Sequence, residues 1–202
     1  MSQAVDITKS LPLSWSSYVA GQRVKSDDTL EIRYPWDGSL TGTLSKITSD
    51  QLEEAVQAAL GNKEMPTKNE RYEILMRARD LLAQYADEFA NLIRLEAGLC
   101  MRETRYEVGR AQEVFKFAAA EALRDDESIF SCDAAKNGPA RKIFTLREPL
   151  SLVVAITPFN HPLNQVAHKL APAIAAGVPV LLKPSSKTPL TAIRLTELLY
   201  EA

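Results

Sequence analysis

The sequence predicts an α/β chain built on a doubly wound parallel sheet with flanking helices, and three observations carry that prediction. Leu150 to Ile156 and Val178 to Lys183 are continuous apolar runs rich in Val, Ile and Leu. Such runs mark strands buried on both faces of a parallel sheet. A helical pattern follows each run, so the order is strand, helix, strand, helix. Upstream, a short β-rich arm leads into long amphipathic helices. At 202 residues the chain has room for about one to two domains.

Taken in order, Ser17 to Val24 reads as a strand, a turn at Gly21-Gln22 and a strand restart. Leu30 to Arg33 is a second β-like run, ended by the turn signal Tyr34-Pro35-Trp36-Asp37-Gly38. Thr48 or Ser49 caps a helix with Gln51 and Glu53 in its first turn. Leu52, Val56, Ala59 and Leu60 form its stripe, and Gly61-Asn62 ends it. One long helix is predicted from about Asn69 to Ala97, where Ile74, Ala78, Leu81, Tyr85, Phe89 and Leu92 recur at helical spacing. Gly98 sits where a C-terminal cap belongs. From Arg102 to Arg124, Val108, Ala111, Phe115 and Ala118-Ala119 continue the same logic. These stripes read as core packing.

Residues 125–139 are polar and read as an irregular connection. Arg141 to Arg147 alternates enough to be a strand whose unpaired edge invites another chain. After the first buried run, Thr157 to Pro162 is a loop, and Pro162 suits the first position of a helix. Leu163, Val166, Ala167, Leu170 and Ile174 are its stripe, and Gly177 closes it. Thr188-Pro189 opens a last helix, with Leu190, Ile193, Leu195, Leu198 and Leu199 apolar and no Gly cap before Ala202. With only two parallel strands, the sheet is expected to be incomplete, as in a truncated domain.

Composition narrows the function. The chain carries 24 Lys plus Arg against 26 Asp plus Glu, a net charge of -2, so a nucleic-acid partner is not expected. No apolar run approaches the ~18 residues of a membrane span. The first ten residues lack a signal-peptide pattern, and the cytoplasm is the expected compartment. Cys100 and Cys132 form neither a disulfide framework nor a zinc site. His161 and His168, without a third ligand nearby, do not suggest a metal centre.

Ligands of open parallel sheets bind at the carboxyl ends of the strands. Two loops qualify, 157–162 and 183–188. The Asn160 carboxamide in the first could donate to an oxyanion or carbonyl, or else simply cap the following helix. Lys183 in the second could anchor ribose hydroxyls or phosphate, or else be a solvated lysine. Neither a G-x-G-x-x-G nor a Walker A pattern occurs.

Together these residues resemble a family. Thr157-Pro158-Phe159-Asn160-His161-Pro162-Leu163-Asn164, Ala167-His168-Lys169, Pro172-Ala173, Gly177, Lys183-Pro184-Ser185 and Thr188-Pro189-Leu190 are similar to the NAD(P)-dependent aldehyde dehydrogenase superfamily. Arg147-Glu148-Pro149, Tyr34-Pro35 with Asp37-Gly38, Glu96-Ala97-Gly98 and Glu107-Val108 agree in order. The resemblance covers the N-terminal portion of that fold from about residue 17. It implies that Asn160 lends its amide to the oxyanion of a cysteine thiohemiacetal. It also implies that Ile156, Thr157, Pro158 and Phe159 line the cofactor cleft, with Lys183 at the adenosine ribose. Ser185, Ser186 and Lys187 complete the cofactor-binding set.

By the same resemblance, residues 1–137 are the arm and helices of the cofactor domain, 138–148 a β-ribbon segment for homo-dimer or homo-tetramer assembly, and 149–202 its first strand-helix-strand-helix. Where many NAD-preferring members carry Glu, Ser186 stands beside Lys187. A hydroxyl next to an ammonium tolerates a 2′-phosphate, so NADP is expected to be accepted, alongside or in place of NAD. Leu99-Cys100 departs from the family's usual Lys-Pro only at a surface turn. Asn160-His161-Pro162, in place of the commoner Asn-Phe-Pro, resembles members that act on small polar aldehydes such as lactaldehyde or phosphonoacetaldehyde. The family's nucleophilic Cys and its general base lie beyond the matching stretch, and neither Cys100 nor Cys132 has the context of that Cys. The isolated chain is therefore expected to be inactive. The alternative is a non-enzymatic short chain that assembles with full-length subunits.

Overall fold

The computed structural model describes residues 11–62, 64–125 and 127–202; the stretch 1–10 read above for a signal pattern lies outside them. The arm holds five short strands: β1 (Ser14–Trp15), β2 (Ser17–Val19), β3 (Gln22–Val24), β4 (Thr29–Arg33) and β5 (Leu40–Ser45). The order β1-β5-β4 makes a small sheet, parallel between β1 and β5 and antiparallel between β4 and β5. β2 and β3 form a separate hairpin. Its two-residue turn is Ala20-Gly21, both at positive φ, one residue earlier than the sequence suggests. Positive φ at both positions matches the twist of a tight hairpin, which offsets the strain at Ala20. β1 escapes the sequence reading because it is two residues long, and β5 because Leu40-Thr41-Gly42-Thr43 has weak alternation.

Four helices follow: α1 (Ser49–Gly61), α2 (Lys68–Gln84), α3 (Ala86–Ala97) and α4 (Met101–Ala122). Thr48 with Gln51 and Thr67 with Glu70 form capping boxes that satisfy the first amides of α1 and α2. The stripe expected on α1 is only partly buried. Ala55 faces the interior, while Leu52 and Leu60 stay exposed. The single long helix predicted over 69–97 is two, broken at Tyr85. Neither Gly nor Pro marks the break in sequence. At the break, the Arg194 guanidinium of the last helix lies 5.0 Å from the Tyr85 ring centre. Gly98, at φ 73°, ends α3 in the left-handed conformation.

Strands β6 (Ile129–Ser131) and β7 (Lys142–Phe144) pair antiparallel as an exposed ribbon. The sequence anticipated β7 but read β6 as connection. β8 (Val153–Ile156), α5 (Asn164–Ala176), β9 (Val180–Lys183) and α6 (Leu190–Glu201) then follow in the predicted order. β8 and β9 pair in parallel, Ile156 opposite Lys183. Parallel pairing and crossover agree with the predicted class, but this sheet has two strands. Its strands are not buried on both faces: Ala155 is buried, whereas Val154 and Ile156 are 61% and 67% exposed. Successive side chains alternate sides, and on the Ala155 side Val180 and Leu182 of β9 pack against the helical cluster.

Two clusters of buried side chains hold the chain together. The larger joins α2, α3, α4, α5 and α6 through Leu75, Phe89, Phe115, Leu163, Leu170 and Leu195 among others. The smaller seats the arm on α3 and α6 through Trp15, Ile32, Leu44, Leu92, Leu190 and Ile193. Each large side chain so buried contributes roughly 1.5–3 kcal/mol. The arm thus packs directly on α3 and α6, and α4 packs against α2, α3 and α5.

Candidate functional site at the ends of the parallel strands

The two loops singled out in sequence meet at one end of the parallel pair. The backbone N–H of Thr157 donates to the Lys183 carbonyl at 3.3 Å, which carries the ladder one step past the strand ends. Thr157 is buried, while Ile156, Pro158, Phe159 and Asn160 are exposed along the first loop. Lys183, Ser186 and Lys187 are exposed on the second, with Ser185 half-buried. The Ser185 hydroxyl accepts from the Lys187 amide at 3.2 Å, an ST-type turn that fixes the loop after β9. The two loops also touch through side chains: the Lys187 ammonium lies 4.5 Å from the centre of the Phe159 ring. A cation over an aromatic face is worth about 0.5–1 kcal/mol at an exposed position.

Asn160 is not the cap of α5. That helix starts without a side-chain cap of its own, behind Leu163. The acceptor is Glu107 of α4, whose Oε1 receives the amides of Leu163 and Asn164, each at 2.9 Å. Glu107 is 2% exposed. Its second oxygen, Oε2, is buried without a hydrogen bond, and His161 Nδ1 lies 3.5 Å from it. The Asn160 amide is thereby left free at the loop surface.

The second helix repeats the arrangement. α6 also begins without a side-chain cap of its own, behind Pro189. Glu96 of α3, likewise 2% exposed, receives the amides of Leu190 at 2.5 Å and Thr191 at 2.6 Å, and the Thr191 hydroxyl as well. Burial pushes Glu96 up to about 7, against the pull of these three hydrogen bonds toward the ionised form. A carboxylate at a helix N-terminus satisfies orphan amides and faces the positive end of the helix dipole. Sequence reasoning placed both glutamates in family-like segments but gave them no role. The available signal was the absence of a local cap at Leu163 and Pro189, together with a Glu set among the apolar positions of each earlier helix.

These contacts define what the strand ends can hold. Residues 156–160 and 183–187 contain two ammonium groups, three hydroxyls and a carboxamide, and no carboxylate. That donor set suits a hydroxyl-bearing or anionic ligand. The first amides of α5 and α6 are taken by Glu107 and Glu96, so a phosphate group finds no free helix N-terminus at either place. Two surface concavities among the described residues lie elsewhere. One of about 900 Å³ involves Met65, Ile74 and Arg77; the other, about 420 Å³, lies between α4 and α5 beside Phe117 and His168. Cys100 is exposed just before α4, and Cys132 follows β6; neither stands on the strand-end loops.

Comparison with known proteins now decides the family. The family model described as "Aldehyde dehydrogenase family" matches residues 23–202. The chain belongs to the aldehyde dehydrogenase family. It is 39% identical over 188 residues to the 3-sulfolactaldehyde dehydrogenase of Priestia aryabhattai, covering 92% of this chain and 39% of that protein. It is 35% identical to the lactaldehyde dehydrogenase of Methanococcus vannielii, over 90% of this chain and 38% of the relative. Among solved structures, the NADP-dependent glyceraldehyde-3-phosphate dehydrogenase of Bacillus halodurans complexed with NADP superposes with a TM-score of 0.88 at 28% identity. That match covers 94% of this chain and 41% of the other. The betaine aldehyde dehydrogenase of Staphylococcus aureus in complex with NAD+ gives 0.86 at 29%, over 97% and 39%. The chain therefore spans about two fifths of the length of the relatives it matches, the N-terminal part of the aldehyde dehydrogenase fold. Among the described residues, no helix is long and apolar enough to cross a membrane.

Proposed function

We propose that these residues are the N-terminal part of a cytoplasmic aldehyde dehydrogenase that oxidises an aldehyde to a carboxylate with NAD or NADP. The observation that carries the proposal is the pairing of Ile156 with Lys183. It brings both family-like loops to one sheet end. In this reading the exposed Asn160 amide donates to the oxygen of the aldehyde as it becomes an oxyanion. Ile156, Thr157, Pro158 and Phe159 form one wall of the cofactor cleft. Lys183, Ser185, Ser186 and Lys187 hold the adenosine ribose, which their hydroxyl and ammonium donors fit. The pyrophosphate needs donors other than α5 and α6, whose first amides are occupied. When bound, the nicotinamide supplies the acceptor for the aldehyde hydride.

The absence of a carboxylate beside Lys187 supports acceptance of NADP, as in the Bacillus halodurans relative. Relatives named for sulfolactaldehyde and lactaldehyde support a small polar aldehyde as substrate. Ile129, Phe130, Ile143 and Phe144 are exposed on the β6–β7 ribbon, which supports homo-oligomer assembly through it. The test uses a protein of the relatives' length that begins with these residues, and residues 1–202 alone. The long protein forms NAD(P)H when given small polar aldehydes. The 202-residue chain does not, because neither of its thiols stands at the Asn160 loop. Activity confined to long aliphatic aldehydes would refute the substrate class; aldehyde-dependent NAD(P)H from the short chain of verified mass would refute the division of labour.

A further inference from the structure

We propose that Glu107 and Glu96 are a matched pair of positioning residues, each governing one strand-end loop. Glu107 sets the loop that carries Asn160, and Glu96 sets the loop that carries Lys183 to Lys187. Each loop is short, residues 157–162 between β8 and Leu163 and residues 184–189 between β9 and Leu190. Each is pinned at two ends. At the strand end, the ladder continues from Thr157 to Lys183; at the helix end, a buried carboxylate holds the first amides. With so few residues between, the carboxylate determines where the loop's side chains stand.

Three features separate this from general core stabilisation. Neither α5 nor α6 has a side-chain cap of its own, so the amides depend on a residue far away in the chain. A buried carboxylate is costly unless its partners are well placed, and here the partners are the starts of the two helices that follow the parallel strands. Glu107 in addition reaches into its loop: the buried, unbonded Oε2 lies 3.5 Å from His161 Nδ1, on the residue next to Asn160. Glu96 has no such second contact, because both its oxygens are engaged by Leu190 and Thr191. The helix ends of the two loops are therefore held from different places, α4 and α3.

The catalytic consequence rests on the dehydrogenase reading; the positioning itself does not. The test therefore has two arms. In the 202-residue chain, residue-resolved amide hydrogen exchange is compared for wild type, Glu107→Gln and Glu96→Gln. Glutamine keeps one acceptor oxygen but turns an amide nitrogen toward a donor at the other position, which weakens these bonds. Glu107→Gln speeds exchange at Leu163 and Asn164 by about tenfold and leaves Leu190 and Thr191 unchanged; Glu96→Gln does the reverse. Either variant accelerating both pairs alike, or neither pair responding, would overturn the assignment. In a protein of the relatives' length, Glu107→Gln lowers kcat about tenfold with little change in the KM for the cofactor, and Glu96→Gln raises that KM. Loss of both parameters together in both variants would overturn the catalytic consequence. Wild-type protein without dehydrogenase activity would instead strike at the functional reading, while the exchange pattern still judges the positioning.

Discussion

Replacing Glu96 by glutamine isolates a pH-dependent part of the stability of this chain. Glu96 lies buried beneath the first turn of α6, and burial raises it from 4.5 to about 7 in the folded state. The folded chain consequently binds more protons than the unfolded chain between those two values, and stability falls as pH rises. The contribution is fully present below pH 4.5 and is lost as pH climbs through about 7. A shift of that size corresponds to about 3 kcal/mol, a large part of the stability of an ordinary domain. Glutamine imitates the protonated carboxyl at every pH, with one amide nitrogen facing a backbone donor. The assay is urea unfolding of wild type and Glu96→Gln at intervals from pH 5 to pH 8. Subtracting the two curves removes whatever the wild type and the variant have in common. Wild type is expected to lose stability relative to the variant across that range, by up to about 3 kcal/mol. A difference that stays constant with pH, or grows in favour of wild type as pH rises, would refute the account of Glu96 as a carboxyl whose burial outweighs its hydrogen bonds.

Other outcomes follow from the same geometry. Ser186→Glu places a carboxylate between Lys183 and Lys187, and is expected to weaken NADP relative to NAD by roughly tenfold in cofactor titrations of the family-length protein. A strong NAD preference that this change leaves untouched would remove Ser186 from the cofactor reading. Asn160→Ala is expected to lower kcat by about 100-fold or more, measured as NAD(P)H formation, with unchanged unfolding curves. Thr48→Ala breaks the capping box of α1, where Thr48 and Gln51 bond each other's backbone amides, and costs about 1 kcal/mol in urea unfolding. Phe115→Ala empties a fully buried site in the larger cluster and costs about 3–5 kcal/mol by the same measurement.

Local signals made much of the framework legible. Thr48-Ser49 with Gln51, Gly98 and Gly177 mark helix ends by the conformations and hydrogen bonds they permit, and those ends stand where the residues indicate. The two apolar runs and the helices after them give the parallel crossover. Legibility stopped where the cause is remote. Tyr85, at the break between α2 and α3, meets Arg194 from α6, and the small sheet depends on β1 reaching β5 across the arm. The expectation that β8 is buried on both sides overreached, since an apolar run records a tendency and a second covering layer must actually be present. At the site, Asn160 and Lys183 could be singled out by their places at the ends of the two apolar runs, and the family resemblance supplied the other seven candidates. That Phe159 meets Lys187, and that Asn160 is left exposed rather than spent on capping α5, could not be marked.

By itself the amino-acid sequence determined the order of elements at the functional end, the family resemblance and the residue types available for binding. All of these depend on neighbours in the chain: apolar periodicity, capping residues, and motifs a few residues long. Tertiary structure alone decided which groups hold those residues in place. Glu107 is 56 residues from Leu163, and Glu96 is 94 from Leu190. An orphan helix amide donates to any carboxylate that folding delivers, and only the packing of α3 and α4 against α5 and α6 delivers these two.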